Sequence, residues 1–525
     1  MSEQQPHCGA CVKSGREARC IYEAIRNKNL ADQLEDRVNQ LERMVERMER
    51  EGPNQASAQG SNPTTLAGFM PSGVTQPSNG GSLSGYMDYS GLGAGNGSMN
   101  VPLTLAPWHS AEGWSKLPDE THNFMVDTFM TYLPKSYLQI HPDRFLQALV
   151  LPENDPRSIH PAMISAIYLL ACYHWSNSLS DYESAFLTQA RASMSDSLSK
   201  TDRLFTGFIQ PGILVAEYLI NRGRHREAYH QIIQITRFSL DCNLHKITSP
   251  VWRPDMPTGP GRLLPEPSDA IELGERILAF WAVFVLDQRI CLIMGLPSAF
   301  SKGDDLDTRS RIDTVWPESL YDYEEGTAIN QEFMSLRFLC TNRPPFAIYE
   351  SDYGFRMRLE SLALYRFAGD EEISTGDVDI AISQFIRRLP EPDVTDTANL
   401  PSVVLAHVVA RAATIRICAR TSAIQTLDER ALRAAIDCAR MIHVITVSDY
   451  DMWSLDLVLS YIWADCAKII ARHIQQKNQM GAYEDSGRLR PALSAILAGL
   501  SKAVMVYPVV ETEVQTVEGL VAALN

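Results

Sequence analysis

Beyond residue 107 the apolar positions of the chain recur at intervals of three and four, segment after segment. That spacing predicts helices over 119–133, 160–176, 181–199, 203–221, 224–242 and 268–294. It continues over 329–342, 351–367, 375–388, 400–424, 428–447, 452–475 and 489–506. Pro134, Pro142, Pro211, Pro250 and Pro297 read as breaks between helices, because proline lacks the amide hydrogen that a helix interior uses. No convincing run of alternating apolar and polar residues marks a strand, so 108–525 reads as one large all-α domain. Six prolines fall in 246–267 (Pro250, Pro254, Pro257, Pro260, Pro265, Pro267), and this segment reads as an irregular surface loop.

The pattern before residue 107 is different. Residues 23–50 contain no Gly or Pro and read as one helix. Its apolar residues, Ala31, Leu34, Val38, Leu41, Val45 and Met48, step by three and four, which is the a/d seam of a coiled coil. Val38 and Val45 at a, with Leu34 and Leu41 at d, favour two strands, and Arg37 would face Glu42 across a parallel dimer. The seam spans about 27 Å at the helical rise, so it is marginal alone; a surface helix packed on its own domain is the competing reading. Residues 51–107 are rich in Gly, Ser, Asn, Pro and Gln, with Glu51 and Asp88 as their only charges. Such a segment buries too little apolar area to offset ordering entropy and reads as a disordered linker.

Charge narrows the possibilities. The chain of 525 residues carries a net charge of -16, which argues against a nucleic-acid binder that uses its whole surface. Residues 1–50 are neutral, so any DNA contact falls to the amino terminus. No signal peptide and no uninterrupted run of eighteen apolar residues is visible, and no membrane partner is expected. Cys172, Cys242, Cys291, Cys340, Cys418, Cys438 and Cys466 are scattered through helical patterns, suit a reducing compartment and read as small core residues. Asp304, Asp305 and Asp307 fit no calcium-loop spacing and read as a solvated acidic turn. No nucleophile elbow, P-loop, HExxH or dinucleotide fingerprint is present, so an enzyme is not expected.

The first residues carry metal chemistry. Cys8 and Cys11 are separated by two residues and Cys20 follows after eight more, a spacing that lets three thiolates close on one ion. Pro6-x-Cys8-x-x-Cys11-Val-Lys13-x-Gly15…Cys20-x-Tyr22 resembles the second half of the fungal zinc binuclear-cluster (Zn2Cys6) DNA-binding domain. The resemblance implies zinc as cofactor, with Cys8, Cys11 and Cys20 as ligands. It also implies a domain order of partial cluster (1–22), coiled coil (23–50), linker (51–107) and regulatory domain (108–525). Base reading in that family belongs to the first half of the cluster, and this sequence opens in the second. Lys13, Arg16 and Arg19 are placed for phosphate contacts, which position a protein without reading sequence.

Two further stretches resemble the fungal-specific transcription factor domain, the middle homology region that follows such clusters. One is Arg224-His-Arg-Glu-Ala228 through Cys242-Asn-Leu244-His245. The other is Arg276-Ile-Leu-Ala-Phe280-Trp281-Ala-Val-Phe284-Val-Leu286-Asp287, followed by Gly295-Leu-Pro297 and by Ile312-Asp313-x-x-Trp316-Pro317. Apolar residues cover much of the circumference of the second, which predicts a central buried helix, with Asp287 and Arg289 or Arg276 in buried ion pairs with neighbouring helices. The resemblance implies a nuclear, zinc-dependent, sequence-specific transcription factor for RNA polymerase II promoters. Its partners would be CGG-type half-sites, itself or a related factor through Leu34, Val38, Leu41, Val45 and Met48, and a small-molecule effector. The alternative is a regulator that acts by dimerisation without DNA binding.

Overall fold

Six α-helix starts among the described residues are written in side chains that accept the first free amide hydrogens: His141, His160, Asp269, Ser319, Ser374 and Asp428. In the computed structural model the described residues are 117–524, apart from 153, 255–262, 301–310, 329–335, 341–352, 422–427 and 449. Contacts divide the chain into two units, Met1–Tyr86 and Met87–Asn525, and every described residue lies in the second. The partial cluster, the coil and the linker fall outside the described residues, as do Asp304, Asp305 and Asp307.

Among the described residues there are sixteen α-helices and no strand. They are α1 (Asp119–Tyr132), α2 (Pro142–Leu149), α3 (Pro161–His174), α4 (Ser176–Lys200), α5 (Gln210–Asn221), α6 (His225–Asp241), α7 (Ala270–Met294) and α8 (Leu320–Glu324). After these come α9 (Tyr353–Ala368), α10 (Thr375–Arg388), α11 (Leu400–Thr421), α12 (Glu429–Val447), α13 (Val458–Gln479), α14 (Tyr483–Gly487), α15 (Arg490–Val506) and α16 (Glu511–Ala523). The all-α expectation holds.

Pro142 is not a break. Like Pro161, it is the first helical residue, where its missing N–H costs nothing. The preceding histidines cap: Nδ1 of His160 accepts from Ala162 N at 3.1 Å and Nδ1 of His141 from Arg144 N at 3.4 Å. Pro211 does not separate helices either. A π-helical turn, Phe205–Ile209, runs straight into α5, and the widened turn accommodates the proline ring and its missing donor. Gly207 belongs in that turn because a Cβ there would lie 2.4 Å from Ser197 Oγ. Asp269 starts α7 by accepting from Glu272 N at 2.8 Å, while Glu272 accepts back from Ser268 N at 2.8 Å, a reciprocal cap. Gly295, at φ 65°, ends the same helix in the left-handed region.

Helix α7 is central. It contacts α5, α6, α8, α9 and α13. Ile277, Phe280, Trp281, Phe284 and Leu286 are all fully buried. A helix apolar all round belongs in a core or a bilayer. Three segments, Ala270–Met294, Leu400–Thr421 and Tyr483–Val506, are in fact long and apolar enough to cross a membrane, contrary to the expectation from uninterrupted runs. In the first two, 78% of the apolar window is buried inside the protein; in the third the share is 33%. Five of the seven cysteines beyond the linker are buried, and Cys291 and Cys340 are half-buried.

The proline-rich stretch is not wholly a surface loop. Leu244–Lys246 forms a short 3-10 turn, Leu264 is buried, and Trp252 Nε1 donates to Pro267 O at 2.8 Å. Asn243, at φ 59°, turns the chain after α6 so that Leu244 and His245 enter the core. The segment around Trp316 pairs with it: Asp313 N donates to His245 O at 2.8 Å and Val315 N to Ile247 O at 2.8 Å.

Candidate functional site

A lone charge in an apolar helix must find a partner, because desolvating it unpaired costs several kcal/mol. Glu217 in α5 and Arg289 in α7 are two such charges, and they point into one polar centre. Glu217 is 2% exposed. Its two carboxylate oxygens accept from Tyr132 OH at 2.6 Å and from Ser136 Oγ at 2.7 Å, both from the chain that leaves α1. Arg289 donates through Nε (3.2 Å) and Nη2 (2.8 Å) to Oδ1 of Asp456, and the two side chains are 3% and 9% exposed. The other oxygen of Asp456 accepts from Tyr137 OH, and Oδ1 also accepts from Val458 N at 3.0 Å, at the start of α13. Two guanidiniums lie over the Tyr137 ring, Arg289 at 4.7 Å and Arg358 of α9 at 5.1 Å from its centroid.

The electrostatics follow from burial. Burial raises the Glu217 carboxyl, and the hydrogen bonds from Tyr132 and Ser136 with the charge of Arg289 only partly oppose it. Burial would raise Asp456 as well, but Arg289 and the Tyr137 hydroxyl outweigh it and hold this carboxyl below its usual range. His174, whose ring centroid is 4.1 Å from that of Tyr132, is pushed down to about 3 by burial and then by Lys135 and Arg222. A second buried pair stands nearby in the sequence of helices. Glu183 of α4 accepts from Arg222 Nε at 2.8 Å and Tyr218 OH at 2.8 Å, and Arg222 lies 4.8 Å over the Tyr173 ring.

The residues of the Phe-Trp-x-x-Phe-x-x-Asp stretch have structural roles. Trp281 Nε1 donates to Val315 O at 2.7 Å, and its ring stacks on Trp316 with centroids 5.1 Å apart and planes 3° from parallel. Of the buried ion pairs expected with neighbouring helices, Arg289 makes one with Asp456, whereas Asp287 pairs with neither Arg276 nor Arg289. It accepts from Ala299 N at 2.8 Å and from Ser298 Oγ, pinning the turn after Gly295-Leu-Pro297 against α7. Burial raises its carboxyl, and those two bonds pull the other way. Arg276 instead pairs with Glu272 one turn earlier in α7 and donates to Pro265 O at 2.6 Å.

None of the sequence-derived site residues can be placed. Cys8, Cys11, Cys20, Lys13, Arg16, Arg19, Leu34, Val38, Leu41, Val45 and Met48 lie outside the described residues. Among the described residues no group of three His, Cys, Asp or Glu side chains is placed to hold a metal ion. Glu217, Tyr137, Arg358 and Asp456 escaped the sequence reading. For Glu217 and Asp456 the signal was a single charge in an apolar run, Val215-Ala-Glu217-Tyr-Leu and Leu455-Asp456-Leu457-Val.

Residues 126–349 match the family described as the fungal specific transcription factor domain. That family is a domain of transcription regulators, not of enzymes. Searches of curated proteins and of solved structures gave no match. The matched span contains Tyr132, Ser136, Tyr137, Glu217 and Arg289, while Arg358 and Asp456 come from chain beyond it.

Proposed function

We propose that this chain, with its fungal specific transcription factor domain over 126–349, is a nuclear regulator of RNA polymerase II genes. In this reading Cys8, Cys11 and Cys20 hold zinc and Lys13, Arg16 and Arg19 touch DNA phosphates. Leu34, Val38, Leu41, Val45 and Met48 form the seam that pairs it with itself or a relative. The helical domain receives a small-molecule effector, and CGG-type half-sites are the DNA target. The observation that carries the reading is the family match, joined in one chain to a thiolate spacing that suits zinc.

DNA binding by residues 1–22 alone is expected to be weak, indifferent to sequence and steeply lost as salt rises, because phosphate contacts release counterions and read no bases. Specificity then comes through a partner cluster brought by the coil. The test is a titration of the zinc-loaded chain against CGG-containing and scrambled duplexes at two salt concentrations. Salt-sensitive binding with less than about tenfold preference, or 1.4 kcal/mol, fits the reading. Larger discrimination would place base reading within residues 1–22, and no DNA binding at low salt would favour the alternative, a regulator that acts by dimerisation alone. The heptad seam is the observation that favours that second reading.

A further inference from the structure

The polar centre holds guanidinium donors that its carboxylates leave unused. Asp456 is fully engaged by Arg289, Tyr137 and Val458 N. Glu217 is turned to Tyr132 and Ser136. Arg358 is half-buried, lies over the Tyr137 and Phe355 rings at 5.1 and 5.7 Å, and forms no ion pair among the described residues. Its Nε is buried with no hydrogen-bond partner there, and so is Nη1 of the almost wholly buried Arg289. Two guanidiniums thus lie over one tyrosine ring, each with an unused donor.

A buried cation without a counter-charge is costly. A guanidinium presents its donors in a planar fork that matches the paired oxygens of a carboxylate or phosphate. We propose that a small oxyanion, a carboxylate or phosphate compound, binds beside Tyr137 between Arg358 and Arg289 Nη1. Arg358 is partly exposed, so the site opens to solvent on its α9 side. The ligand would join α9, beyond the family-matched span, to α7 within it, as Asp456 already joins α13 to α7. The inference rests on the effector reading above and names the chemistry of that effector.

The experiment is a titration of the full chain with succinate, citrate or inorganic phosphate in the millimolar range, against sodium chloride at matched ionic strength. The readouts are Tm and, for phosphate, line broadening of its phosphorus resonance. Saturable stabilisation by at least one oxyanion and not by chloride is expected, with carboxylate and phosphate arms separating the two ligand sources. Arg358→Gln should weaken the apparent affinity by about tenfold or more, and Arg358→Lys, which keeps the charge and loses the fork, should fall between. Equal titrations of wild type and Arg358→Gln, or no saturable response to any of the three, overturn the proposal. If Arg358→Gln does not fold, Arg358→Lys takes its place, and a titration with the stabilising oxyanion equal to that of the wild type counts against the proposal. Because no readout involves DNA, failure here leaves the DNA-binding reading standing, and failure of DNA binding leaves this site standing.

Discussion

Asp456→Asn tests how much the buried ion pair holds. The substitution removes the counter-charge of Arg289, whose side chain is 3% exposed, and weakens the bonds from Tyr137 OH and Val458 N. A lost helix cap costs about 1 kcal/mol, and a lost neutral hydrogen bond costs a similar amount. The stranded guanidinium dominates, since breaking a buried pair by removing one partner costs about 3–5 kcal/mol. Against a typical total of about 5–15 kcal/mol, that is enough to bring the domain near unfolding at ordinary temperature. The assay is urea denaturation of the full chain followed by far-UV circular dichroism, comparing the midpoint of the transition that includes α7. Arg289→Met combined with Asp456→Leu removes both charges, and is expected to recover much of the loss that Asp456→Asn causes alone. A cost below about 1 kcal/mol for Asp456→Asn, or a double variant as unstable as the sum of its parts, would refute the assignment of Asp456 as the counter-charge of Arg289.

Glu217→Gln should change how stability depends on pH. The folded carboxyl lies above its ordinary value of 4.5, so its contribution is full below that value and is lost as pH rises through the folded pKa; the stability of wild type relative to the Gln variant should fall as pH rises above 4.5, and a flat difference would contradict it. Trp281→Ala should cost about 3–5 kcal/mol by emptying a fully buried site and removing the stack on Trp316, read as a lowered Tm, and a cost below about 1 kcal/mol would speak against its central position. Val38→Asp should weaken self-association in sedimentation by placing a charge in the apolar seam; an unchanged dimer, or a monomeric wild type, removes the basis for the coil. Elemental analysis should find at most one weakly held zinc per chain, because three thiolates fall short of the six that two ions share in such a cluster; two tightly held ions would contradict it.

The elements were largely legible in the sequence, and the site was not. Long helices such as α7, α11 and α13 announced themselves because their apolar residues recur every three or four positions over many turns. The short helix α2 was lost because Pro142 reads as a stop, whereas at the first helical position it is a start. The terminal helix α16 was missed because its buried face rests on little more than Val514 and Val517. Charge pairing was the harder problem. The sequence marked Asp287 and Arg289 for ion pairs with neighbouring helices without naming the partners. The true partner of Arg289 is 167 residues away at the start of α13, and no local rule connects them. The same holds for Glu217, which meets a tyrosine and a serine more than 80 residues earlier.

The most direct test is a genome-wide map of where the tagged protein crosslinks to chromatin in a fungal cell, made for wild type, for Val38→Asp and for Cys8→Ser. For a regulator that reaches promoters through a zinc cluster and a dimer seam, the wild type should be enriched at promoters carrying CGG-type half-sites. Both variants should lose most of that enrichment at unchanged protein level. A nuclear wild type with no promoter enrichment over an untagged strain, or enrichment that neither substitution alters, would contradict it.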